Sequence, residues 1–276
     1  MSKYRRPRNW IIFAVMLVIV LLVNMPIITM VLNSFKTNAE ILSSKQLFPT
    51  RFTLENYENL NSNGSFLTKF RNSVFVALIA TALSIMIAGT AGYAISRVRT
   101  RFTAFFGQSL LVLQMFPIIL SLIPLFIMFK NIGIIDTHLS VILLYTAGNL
   151  PFAIWMYRGF FDSIPVDLEE ASWIDGCTKF QSFTKVIFPV AAPGIAAVSI
   201  FSFLYAWNEF LIASIFLRNQ ELMTVPVGLQ LFMEQFSTNW GGLTAAASIT
   251  LIPVCLFVVI VQKYMVYGSA AGSVKG

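Results

Sequence analysis

Six stretches of this chain run for about twenty residues or more with almost no Asp, Glu, Lys or Arg, and no other feature narrows its possible folds as far. A charge at the centre of a bilayer costs about 2.5 to 3.5 kcal/mol on insertion scales, and a helix of about twenty apolar residues crosses the hydrocarbon. The stretches fall near 10–32, 74–95, 105–129, 139–157, 190–217 and 243–261, and only Glu209 interrupts one of them. The reading is an all-α, polytopic integral membrane protein with six spanning helices in one transmembrane domain over 1–276. Composition agrees: 57% of residues are hydrophobic and 11% charged, whereas soluble domains carry about 25% charged residues.

Several classes are excluded on the same grounds. The formal charge is +7, but the basic residues stand in short clusters between apolar runs, where they orient a chain in a bilayer, so no nucleic-acid partner is implied. One histidine, His138, and two separated cysteines, Cys177 and Cys255, supply neither a disulfide framework nor a zinc, haem or iron–sulfur site. No convergent catalytic set is present, so an enzyme is not expected. Lys3, Arg5, Arg6 and Arg8 precede a first run that exceeds the apolar region of a signal peptide, about 7 to 15 residues, and lacks a small-residue cleavage site. It reads as a retained helix. In an alternating layout one side holds 12 of the 19 Lys and Arg, which makes that side cytoplasmic and places both termini there.

Between the spans, 36–71 is a polar outer loop with Pro49, Asn56, Asn61, Asn63 and Gly64, and a short helix is expected near 54–60. A second outer loop covers 218–240. The longest cytoplasmic loop, 158–188, reads as a helix, a turn and a helix. Pro165 suits a first helical turn, Asp167, Glu169 and Glu170 put negative charge at the positive end of the dipole, and Gly176 can turn left-handed after the last turn. Thr178 and Gln181 fit a capping box for the second helix, which carries Phe180, Phe183 and Ile187 on one face. Pro189 and Pro193 then mark the start of the fifth span.

Within this loop Glu170-Ala171-Ser172, Asp175-Gly176, Phe183 and Ile187-Phe188-Pro189 resemble the Glu-Ala-Ala loop of importer permeases of the ATP-binding-cassette class. Ser172 and Cys177 stand where that pattern usually has Ala, and Phe188 where it has Leu. Asn33-Ser34-Phe35-Lys36-Thr37, Phe52-Thr53-Leu54-Glu55-Asn56-Tyr57, Trp207-Asn208-Glu209-Phe210 and the closing Gly272-Ser273-Val274-Lys275-Gly276 are similar to the maltose-type carbohydrate importers, specifically the six-helix member of their permease pair. The likeness covers nearly the whole chain.

That resemblance implies a multi-pass permease in a prokaryotic cytoplasmic membrane, moving a sugar or oligosaccharide by alternating access. Its partners would be a second homologous permease, a dimer of cytosolic ATP-binding subunits, an extracytoplasmic substrate-binding protein and the surrounding bilayer. No cofactor is expected on this chain, which has no Walker-type loop; ATP and Mg would sit on the ATPase subunits. The helix ending at Gly176 would be the coupling helix, with Glu170 in a charged contact, Ala171 and Ser172 allowing close approach, Asp175 and Gly176 fixing the turn, and Phe183 and Pro189 completing the motif. The plainer alternative for Glu170 is a solvated carboxylate at a helix start, worth tenths of a kcal/mol to about 1. Glycerol phosphate or another polyol is an alternative cargo for the same class, and an ATP-independent secondary transporter or channel is the alternative from another class.

Polar residues inside the spans are the remaining candidates. Glu209 reads two ways: as a pathway or outer-gate group beside Tyr205 and Asn208, or as a residue at the outer interface where the fifth span ends with Trp207 as an aromatic anchor. Gln114 and Asn149 suit either the pathway or an interhelical hydrogen bond. Ala88, Gly89, Ala91 and Gly92 form a packing patch, Pro117 and Pro124 are expected to kink the third span, and His138 is expected at the surface.

Overall fold

The computed structural model describes residues 8–43, 45–60, 65–233 and 238–272. The expectations for Lys3, Arg5 and Arg6, for Asn61, Asn63 and Gly64, and for the closing string beyond Gly272 lie outside the described residues. Fourteen α-helical segments are present among the described residues: α1 Arg8–Asn33, α2 Asn38–Ser43, α3 Glu55–Glu58, α4 Phe66–Arg97, α5 Arg101–Gln114, α6 Leu122–Asn131, α7 His138–Asp162, α8 Asp167–Ile174, α9 Lys179–Ser182, α10 Phe188–Val190, α11 Ala192–Asn208, α12 Leu211–Phe216, α13 Val225–Leu229 and α14 Trp240–Gly272. Four of them are single helices long and apolar enough to cross a bilayer, and two bent pairs, each counted as one span, bring the number to six. The all-α reading holds. α3 is the short helix expected near 54–60.

Two of the expected spans are not single helices. The third is broken by 91° between α5 and a 3-10 turn, Ile118–Ser121, that leads into α6. Pro117 sits at that break with φ −64 and ψ 115; it has no N–H to close the turn and disfavours helix in the residue before it. The kink expected from Pro117 is therefore a full break, while Pro124 lies inside α6. A 77° bend at Ala191 separates the helical end of the loop, Lys179–Val190, from α11, and α11 stops at Asn208, nine residues short of the expected end at 217, because Glu209 is extended with ψ 121. α12 restarts two residues later.

The chain packs as two compact units, Met1–Phe66 with Leu229–Leu251, and Leu67–Gly228 with Ile252–Gly276. In the first, two of the strings that carried the resemblance meet. Ser34 Oγ and Tyr57 Oη share a 2.6 Å hydrogen bond, Asn56 Nδ2 donates to the carbonyls of Ser34 and Lys36, and the Phe35 and Tyr57 rings lie 5.4 Å apart. Asn38 Oδ1 accepts from Trp240 N, which ties the start of α2 to the start of α14.

The larger unit has two cores. One joins α4, α6, α7, α11 and α12 through Val76, Phe129, Tyr145, Phe203, Trp207 and Phe216, with Phe257 stacked on Phe203 at 4.2 Å. The other joins α4, α5, α7 and the loop through Ala88, Leu110, Tyr157, Phe161, Phe183 and Ile187. The small-residue patch lets α4 and α7 touch: a Cβ on Gly92 would stand 2.6 Å from Tyr157 Cβ and 3.1 Å from the Arg158 nitrogen, so only glycine permits this approach.

Candidate functional site

The segment from Ser163 to Val190 is a braced structure. α8 carries Asp167, Glu169 and Glu170 in its first turn, as the dipole favours. It ends at Ile174, and two residues on Gly176 turns the chain with a φ of +88, the left-handed conformation that glycine adopts without strain. Gly176 N donates to Trp173 O and Cys177 N to Ser172 O, which satisfies the last carbonyls of the helix. The capping box then starts α9: Gln181 N donates to Thr178 Oγ1, and Thr178 N donates to Gln181 Oε1. α9 widens into a π-helical turn, Phe183–Ile187, before α10. Ser172 Oγ bonds to Ser182 Oγ at 2.6 Å, joining α8 to α9 in a buried position.

What faces outward differs from the sequence reading in two places. Glu170, Ala171, Asp175 and Gly176 are exposed as expected, but Ser172 is buried and turned toward α9. Phe180 does not share the buried face of Phe183 and Ile187. It is 73% exposed, because the π turn shifts the register between Phe180 and Ile187. With Ile174, 87% exposed, it adds an apolar element to the free face of the loop. Phe183 packs against Tyr93, Phe161 and Phe188, and Pro189 lies exposed in α10.

In the sequence Glu169 reads only as a charge at the start of α8, and the structure gives it a partner. Glu169, only 2% exposed, is ion-paired with Arg97 at the last turn of α4. Tyr93 Oη donates to the other carboxylate oxygen at 2.8 Å. The guanidinium also donates to the carbonyls of Phe161 at 2.9 Å and Ile164 at 3.1 Å. Arg97 thus fixes the end of α7, the bend before α8 and α8 itself to α4. A Glu-Glu pair at a helix start gives no sign of which carboxylate turns inward, and the apolar Leu168 and Trp173 of the same helix are themselves exposed.

Of the polar residues within the spans, three come together. Gln114, Asn149 and Tyr205 line a cavity of about 330 Å³ with Gly148, Phe152, Phe201 and Leu204. Phe152 and Phe201 meet edge to face at 5.6 Å, and Asn149 Nδ2 donates to Ser202 Oγ at 2.6 Å, an interhelical bond between α7 and α11. Such a pocket presents amide and phenol groups beside aromatic faces. Asn208 is not in it; its Nδ2 donates back to Leu204 O. Nor is Glu209, whose carboxylate accepts from Ile212 N at 2.9 Å and Ala213 N at 3.2 Å and so caps α12. His138 is half-buried, with Nε2 at 3.0 Å from Leu222 O, rather than a free surface group.

Residues 85–267 match the family described as binding-protein-dependent transport system inner membrane component. The chain is 38% identical over 261 residues to the sulfoquinovosyl glycerol transport system permease protein SmoH of Agrobacterium fabrum, covering 93% of this chain and 91% of that one. It is 33% identical over 269 residues to the trehalose/maltose transport system permease protein MalG of Thermococcus litoralis, covering 96% of each. A chain from the crystal structure of a bacterial ABC transporter involved in the import of alginate, an acidic polysaccharide, has the same fold. The TM-score is 0.78 over 96% of this chain and 98% of that chain, at 23% identity.

Proposed function

Because the chain belongs to the family of binding-protein-dependent transport system inner membrane components, and is a permease subunit of such an importer, we propose that its cargo is a sugar or oligosaccharide and that a separate cytosolic ATPase drives it through the loop at 158–188. The relatives named for sulfoquinovosyl glycerol and for trehalose and maltose support a carbohydrate cargo. The distribution of Lys and Arg supports a cytoplasmic loop.

The observation that carries the coupling role is the contrast within α8. Its outer face, Glu170, Ala171 and Ile174, is exposed, while its inner face is held to α4 by Glu169 and to α9 by Ser172. A helix so held moves with the spans attached to it. Closure of two ATP-binding subunits on that face is thereby transmitted to α4 and, through α9 and α10, to the bend at the start of α11. Alternating access then follows as the two permeases separate on one side and close on the other. ATP and Mg belong to the ATPase subunits. The cavity at Gln114, Asn149 and Tyr205 is this chain's part of the sugar path, since amide and hydroxyl groups beside aromatic rings suit the polar rims and apolar faces of a pyranose.

The test is ATPase activity of the reconstituted importer with its substrate-binding protein, across a panel of sugars. Stimulation by one sugar class supports the reading. Sugar uptake by this polypeptide alone in liposomes, without ATP, overturns it in favour of a secondary transporter.

A further inference from the structure

Two adjoining cavities lie where α4 and α7 end and α5 begins. One, of about 550 Å³, is lined by Arg99, Arg101 and Arg158, with Thr100, Thr103 and Asp162 among its other walls. The other, of about 670 Å³, shares Arg158 and Asp162 and continues along Trp155, Met156 and Phe160. Three guanidiniums against one carboxylate leave the first cavity with an excess of two positive charges. Asp162 is already engaged, accepting from Ser96 Oγ at 2.6 Å and pairing with Arg158 at 3.5 Å. Arg158 is placed by packing as well as by charge, since a Cβ on Gly107 would stand 3.0 Å from its Nη1.

The cavity also opens at the N-terminus of α5, a helix of 14 residues whose dipole adds to the positive field. The surroundings are apolar and exposed: Phe102 is 74% exposed, Phe105 70% and Trp155 49%. Trp155, exposed beside the arginines, is of the residue type enriched where hydrocarbon meets lipid headgroups, and the two exposed phenylalanines extend an apolar surface from it.

We propose that these two cavities seat an anionic glycerophospholipid of the inner leaflet, its phosphate among Arg99, Arg101 and Arg158 and an acyl chain along Trp155 and Phe160. The shared chemistry is a phosphate ester held by guanidiniums. The cytoplasmic placement of this end rests on the functional reading above.

The measurement is native mass spectrometry of the assembled importer taken from nanodiscs that hold phosphatidylglycerol and phosphatidylcholine in equal amounts. The wild-type complex is expected to keep phosphatidylglycerol in preference to phosphatidylcholine. Arg99→Gln with Arg101→Gln should lower that retention about thirtyfold, at roughly one surface charge interaction for each residue lost. Arg99→Lys with Arg101→Lys should keep most of it, and Ala104→Trp, which fills the first cavity without touching its charges, should abolish it. Equal retention of phosphatidylglycerol by wild type and the Gln pair overturns the proposal, as does equal retention of the two lipids. Displacement by inorganic phosphate would assign the site to a soluble anion, and a cross-link from position 101 to the ATPase would assign it to a protein contact; either result also overturns it. Sugar-stimulated ATPase activity on the same preparations separates this outcome from failure of the transport reading, which would remove that stimulation from the wild type too.

Discussion

Arg97 and Glu169, 72 residues apart in sequence, form a nearly buried ion pair that ties the last turn of α4 to the first turn of α8, with side chains 14% and 2% exposed. The neighbouring carboxylate, Glu170, is exposed. Two adjacent glutamates at one helix start therefore have separate tasks: one braces the loop from inside and the other is available to a partner.

Losing one member of the inner pair leaves a buried charge without its counterion. Arg97→Met should lower the stability of the assembled permease by about 3 kcal/mol, whereas Arg97→Met with Glu169→Met should recover a large part of that loss. Thermal unfolding of the purified complex measures both. If the pair also transmits force, the double variant, although stable, should hydrolyse ATP with a lower yield of transported sugar than wild type.

Glu170→Lys should have the opposite signature. Its side chain is exposed, so the folded permease pair should keep its melting temperature, and uptake should fall to background as the ATPase is released or uncoupled. Co-purification of the ATPase with the permeases reads out the contact. Wild-type uptake by this variant would remove Glu170 from the coupling surface.

Gly176 sits at φ +88 with open space around its Cα. Gly176→Ala should therefore cost only the left-handed backbone term, about 1 kcal/mol. Gly176→Pro should do far more, since proline fixes φ near −65° and removes the N–H that bonds Trp173 O. Uptake assays should rank wild type above Ala and Ala well above Pro.

Glu209 separates a structural from a conductive role. Its carboxylate accepts the N–H groups of Ile212 and Ala213, and a neutral amide oxygen can accept them as well. Glu209→Gln should transport sugar close to the wild-type rate, and Glu209→Ala should lose about 1 kcal/mol of stability through the missing cap. Abolished uptake in a stable Glu209→Gln complex would mean that the charge itself lies on the path.

These contrasts also mark what the sequence could convey. Hydropathy located six spans because each local stretch has to satisfy the bilayer by itself, and the Thr178 and Gln181 box and the left-handed Gly176 were legible because caps and turns are decided within four residues. The break at Pro117 was underestimated as a kink, since a proline removes one hydrogen bond whether the helix bends or stops, and neighbouring helices decide which. A 3.6-residue period puts Phe180 on one face with Phe183 and Ile187, and the π turn does not keep that period. The Arg97–Glu169 pair depends on two helices distant in sequence meeting, as does the convergence of Gln114, Asn149 and Tyr205, and no local pattern encodes either.

The convergence of Gln114, Asn149 and Tyr205 can be tested by substitution. Tyr205 reaches the cavity with its hydroxyl laid against Gly148, where a Cβ would stand 2.5 Å from the oxygen, and Asn149 is held by Ser202. If the cavity lies on the sugar path, Tyr205→Phe keeps the ring and the packing and removes only the hydroxyl. The apparent KM for the sugar should then rise several-fold, in line with one hydrogen bond of about 1 kcal/mol, while basal ATPase activity and melting temperature stay unchanged. Gly148→Ala instead pushes the phenol into the cavity and should reduce transport of larger oligosaccharides more than that of a disaccharide. Uptake measured against chain length distinguishes the two. An unchanged KM in Tyr205→Phe, together with an equal loss for all chain lengths in Gly148→Ala, would mean that the cavity is packing space between α7 and α11 and not part of the path.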